Sequence, residues 1–178
     1  MSEIKSTLDM VMERTKHLDL SGEEKKEQAI NEFKKNLRGL VQKLLDNILN
    51  IEKFYNELNK LKKIYGSIDE KKLLKTEILD RIGLETDNKQ TYFLLKELCQ
   101  IEPNNIKSII SAYIKEIKVI TEKIALKIHK KLAQVNFISG SSIVPNVYIN
   151  REWQENIKEI KKDYNKRINE TKQNLIVL

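Results

Sequence analysis

EEKKEQAINEFKKNLRGLVQKLLDNILNIEKFYNELNKLKKIY, residues 23–65, is the stretch on which the fold turns. Apolar residues fall at Ile30, Phe33, Leu37, Leu40, Leu44, Ile48, Ile51, Tyr55, Leu58, Leu61 and Tyr65. Ten steps cover 35 residues, a mean spacing of 3.5, which is the period of a left-handed supercoil. Read as one helix at about 1.5 Å per residue, the segment extends roughly 65 Å. Its stripe then needs a neighbour along its whole length. Ser21-Gly-Glu-Glu24 in front of it is a capping box, the Ser hydroxyl accepting from the third-position amide while the Glu reaches back. Gly66 supplies the stop.

Working outward from this helix, the remaining segments also read as helical. Ser2 starts a first helix to about His17, with Ile4, Leu8, Val11, Met12 and Thr15 on one face. Ser67-Ile-Asp-Glu70 is a second capping box opening a short helix to Ile82, which ends at Gly83. Asp87 and Gln90 open another short helix through Cys99. Glu102-Pro103 begins a second long helix to about Val135, striped by Ile106, Ile110, Tyr113, Ile117, Ile120, Ile124 and Ile128. A last helix, about 151–174, carries Trp153, Ile157, Ile160, Tyr164 and Ile168. Between the last two, NFISGSSIVPNVYIN (136–150) is non-helical, either a small hairpin or an apolar loop.

The fold class that follows is all-α: an elongated antiparallel helical bundle or coiled-coil shaft, with a short two-helix tip and one non-helical loop at 136–150. The chain is expected to be one helical domain. Its segments are an N-terminal helix (1–20), a long helix (21–65), the tip (66–102), a second long helix (103–135), the loop and a C-terminal helix (151–178). A length of 178 residues suits one domain, and 33% charged residues with five Gly and two Pro favour long helices with solvated flanks over a loop-rich enzyme.

Composition also bounds the setting. MSEIKSTLDM is charged from its third residue, so no secretory signal is expected there. No stretch approaches about 18 uninterrupted apolar residues, the length of a spanning helix. A lone Cys99 makes no internal disulfide, and a reduced, cytoplasmic location is the simple reading.

The inventory for chemistry is thin. His17 and His129 lie far apart, and with Cys99 they form no cluster at zinc-ligand spacing. The chain has no GxxxxGK[ST], GxGxxG, HExxH or Glu-x-x-His motif. Its carboxylates interleave with Lys at helical spacing, as on solvated flanks. No catalytic residue, cofactor or metal ligand is expected.

Positive charge gathers in residues 106–135, where Lys107, Lys115, Lys118, Lys123, Lys127, Lys130 and Lys131 stand against Glu116 and Glu122. With Ile106 at zero and 100° per residue, they fall at about 100°, 180°, 120°, 260°, 300°, 240° and 340°. They surround the apolar stripe instead of forming one basic face, which disfavours a nucleic-acid surface. A membrane-surface protein is disfavoured as well, because Lys5, Arg14 and Lys16 of the first helix are balanced by Glu3, Asp9 and Glu13.

Two features point to protein contacts. Val119 and Leu126, at about 220° and 200° on the same wheel, lie opposite the main stripe and one heptad apart. The loop collects Phe137, Ile138, Ile143, Val144, Val147, Tyr148 and Ile149, a large apolar inventory for a connector. EIKSTLDMVMERTKHLDLS (3–21) followed by EEKKEQ (23–28) resembles the opening of a small uncharacterised bacterial family of helical proteins. The resemblance covers little more than the first fifth of the chain, implies no activity and points to a bacterial cytoplasmic protein. The expected function is that of a non-enzymatic helical scaffold or adaptor working through protein–protein contacts, as a homo-oligomer and most simply a homodimer. The alternative is a non-specific nucleic-acid binder using the 106–135 helix.

Overall fold

The computed structural model describes residues 21–66, 68–138, 140 and 143–177, and every regular element among them is helical. In chain order these are α1 (Gly22–Leu45), α2 (Ile51–Tyr65), α3 (Glu70–Asp80), α4 (Lys89–Cys99), α5 (Asn104–Val135) and α6 (Arg151–Val177). A single 3₁₀ turn, Val147–Ile149, precedes α6. The all-helical expectation holds. The helix expected over the first twenty residues lies outside the described residues.

The described residues fall into two compact units that divide between Leu73 and Leu74. In the first unit, the single helix expected over 21–65 is two. Asn47 adopts φ +56°, the left-handed region that ends helices. Its N–H donates to Leu44 O at 3.0 Å, and the Ile48 N–H donates to Lys43 O at 2.9 Å. These are the two bonds of a Schellman termination, with Asn in the place usually held by Gly. Asn50 then caps α2, its Oδ1 accepting from the Lys53 N–H at 2.8 Å.

The consequence is a helical hairpin. Phe33 meets Tyr65 edge-to-face at 5.9 Å, and the Asn36 amide donates to the Tyr65 hydroxyl at 3.1 Å, so α2 runs antiparallel to α1. The stripe of α1 is covered by its own continuation. The phase also changes: Phe54 is fully buried, whereas Tyr55, placed on the stripe by the unbroken 3.5 count, is 41% exposed. Once α2 restarts from its own cap, the inward face becomes Phe54, Leu58, Leu61 and Tyr65, at i, i+4, i+7 and i+11. Val41 likewise is buried where Leu40 is only partly so. Ser21 makes the expected capping box, with both of its hydrogen bonds to Glu24 present. Of the second expected box, Ser67 lies outside the described residues; α3 begins at Glu70 and is capped by Asp69, which accepts from the Lys72 N–H at 3.0 Å.

In the second unit α5 and α6 pack antiparallel, as Trp153 Nε1 donating to Thr121 Oγ1 and the Tyr164 hydroxyl donating to Glu116 show. The core draws on Leu74, Ile78 and Leu79 of α3, Leu94 and Leu95 of α4, Ile106, Ile110 and Tyr113 of α5, and Tyr164 and Ile168 of α6. Asn88 closes the turn between α3 and α4: its side chain both donates to Gly83 O at 2.7 Å and accepts from Gly83 N–H at 3.1 Å. That turn seats α6. Lys172 Nζ donates to Ile82 O, and Glu85 receives both Lys161 Nζ and the Tyr113 hydroxyl.

Candidate functional site

Polar groups with perturbed protonation sit where helices are tied together. Burial pushes the Tyr113 phenol up to about 12, and its hydrogen bond to Glu85 at 3.0 Å acts in the same direction. Lys161, 2.7 Å away, and the Tyr113 hydroxyl hold the Glu85 carboxyl below the usual carboxylate range. Burial raises the Cys99 thiol to about 11, against a small opposing pull from Lys75, so at neutral pH it is a protonated, packed group. His129 is half-buried on α5, and His17 lies outside the described residues. Among the described residues no three His, Cys, Asp or Glu side chains gather where they could hold a metal ion. No helix among them is long and apolar enough to cross a membrane.

Two groups of exposed apolar side chains lie on the α5–α6 hairpin. Val119 and Leu126 are each 62% exposed. The wheel placed them opposite the main stripe, and in the structure α6 covers that stripe and leaves them open. They are outside the monomer core.

The second surface is the connection between α5 and α6. It is an irregular loop ending in a 3₁₀ turn, and of the two readings of 136–150 no hairpin strands form among the described residues. Asn136 closes α5 and Phe137 follows with φ +54°, while the Ile138 N–H reaches back to Leu132 O at 3.1 Å. Asn146 accepts from the Tyr148 N–H, and Asn150 caps α6 by accepting from the Trp153 N–H. Tyr148 stands edge-to-face on Trp153 at 5.1 Å.

The seven apolar residues of this loop separate accordingly. Val147 is 5% exposed and is the anchor of the 3₁₀ turn, which packs on both α5 and α6; it belongs to the core and is not available to a partner. Ile143 is half-buried. Phe137, Val144, Ile149, Tyr148 and Ile138 remain exposed, Phe137 and Val144 almost completely at 90% and 88%. Val135, in the last turn of α5, is exposed beside them although at about 20° on the wheel it continues its helix's main stripe.

Compared with protein-family models, with curated proteins and with solved structures, the chain matches none.

Proposed function

We propose that this chain is a non-enzymatic helical scaffold that acts through protein–protein contact, with the outer face of α5 as its docking surface and a second copy as its partner. The observation that carries the reading is the pair Val119 and Leu126. They are one heptad apart, each 62% exposed, and lie on the side of α5 that α6 leaves uncovered. Heptad-spaced apolar residues on one helix face suit another helix, and a two-fold axis lets one such face cover itself. A bacterial, cytoplasmic location belongs to the same proposal.

The test is the double substitution Val119→Glu with Leu126→Glu, followed by light scattering and thermal denaturation. The dimer mass should fall to that of one chain, with the melting temperature of the monomer unit little changed, since neither side chain is buried. A wild-type chain that is monomeric at high concentration, or a double variant of unchanged mass, would overturn the proposal.

A further inference from the structure

The α5–α6 turn has a charge pattern unlike the rest of the chain. From Lys123 to Arg151 there are 29 residues without one Asp or Glu, where an even spread of the chain's 26 would place about four. The same stretch holds Lys123, Lys127, Lys130, Lys131 and Arg151. On the helical wheel of α5 its four lysines fall between about 240° and 340°, a single arc, although the lysines of the whole helix surround it. Lys127 pairs with Glu152 and Arg151 with Glu155. Lys123, Lys130 and Lys131 have no carboxylate within ion-pair distance among the described residues.

A second observation is independent of charge. Phe137 occupies the left-handed region at φ +54°, which is unfavourable for a side chain with a Cβ, and its ring is 90% exposed. Among the described residues no packing accounts for a strained, solvated phenyl group there. Val144, Ile149 and Tyr148 project beside it in sequence, at 88%, 76% and 66% exposure.

We propose that this turn is a membrane-docking tip, whose apolar side chains enter the interfacial layer of an anionic bilayer while the lysines of the last turns of α5 meet the lipid headgroups. Protruding aliphatic and aromatic side chains next to unpaired lysines are the combination that holds a protein on such a surface without spanning it. The sequence of residues 1–20 balances its basic residues with acidic ones, which is why it disfavours a membrane at that end. Phe137 and Tyr148 offer faces on which bases can stack, but exposed Val144, Ile138 and Ile149 gain nothing against a nucleic acid, and these aliphatic groups favour the bilayer. A symmetric tip-to-tip contact between two copies would bring their lysines together, at a cost in like-charge repulsion. The inference goes beyond the scaffold reading and uses a different surface from Val119 and Leu126.

The experiment is flotation of the full chain with phosphatidylcholine vesicles, with and without phosphatidylserine, at low and near-physiological ionic strength. Binding should require phosphatidylserine and weaken with salt. Phe137→Gly should bind about tenfold more weakly while melting no lower than wild type, because Gly takes φ +54° without strain. Lys130→Gln with Lys131→Gln should weaken binding tenfold or more and flatten the salt dependence. The proposal fails if the chain floats with neither vesicle at low salt. It also fails if Phe137→Gly binds as well as wild type, since lysines alone would then explain the association. Tighter binding to duplex DNA than to anionic vesicles, or a dimer that Phe137→Gly dissociates, would assign the tip to those partners instead.

Discussion

Lys172 Nζ lies 2.7 Å from the carbonyl oxygen of Ile82, a residue ninety positions earlier in the chain, and the side chain that makes this bond is only 8% exposed. The bond fastens the end of α6 to the turn after α3 and gives a buried ammonium one defined partner. Burial lowers the Lys172 pKa from the ordinary lysine value, and Asp80 opposes that shift.

Replacing Lys172 with Ala should therefore cost about 2 kcal/mol, through the lost stem packing and the stranded carbonyl of Ile82. Its pH dependence has a definite sign. A depressed lysine pKa means that the folded chain binds fewer protons than the unfolded chain, so the Lys172 contribution rises as pH climbs toward the ordinary lysine range. Chemical denaturation of wild type and Lys172→Ala should show the gap between them widening from neutral pH toward pH 10. A constant gap would mean that Lys172 is solvated when charged.

Tyr113 acts in the next window with the opposite sign. Its folded pKa of about 12 stands above the ordinary tyrosine value of 10.0, so its contribution is complete below pH 10 and is lost as pH rises from there to about 12. Tyr92 and Tyr164 are raised as well and contribute in the same direction. Tyr113→Phe should cost about 1 kcal/mol at neutral pH, because Glu85 keeps Lys161 as a partner, and should make the alkaline decline in stability shallower. Phenolate absorbance should show one step near pH 12 that the variant lacks.

Asn47 decides between one helix and two. If residues 23–65 were continuous, Asn47→Ala would stabilise the chain through helix propensity and Asn47→Gly would destabilise it. With Asn47 at φ +56° the order reverses. Gly should stabilise by a few tenths of a kcal/mol, and Ala should cost about 1 kcal/mol. Thermal melts of the two variants give the answer directly.

Much of the local structure was legible in the residues. Ser21 and Glu24 form their box, Gly66 ends α2 at φ +69°, and the wheel position of Val119 and Leu126 translated into 62% exposure for both. The turn at 46–50 was legible too, in the three Asx residues of Asp46-Asn47-Ile48-Leu49-Asn50, but an unbroken apolar count of 3.5 ran across it. Ile48, counted on that stripe, is 71% exposed.

What the sequence by itself determined were features that neighbours along the chain can supply: caps, stops, helical phase within an element, and the acid-free run from Lys123 to Arg151. Those depend on hydrogen bonds and spacings spanning a few residues. The tertiary structure alone decided which apolar groups are covered. It pairs α1 with α2, buries Val147 at 5% while leaving Val144, three residues earlier, at 88%, and sets Lys172 against Ile82 and Tyr113 against Glu85. Burial is a property shared between surfaces that meet only after the chain has turned back, and no period or propensity counted along one helix contains the identity of the other.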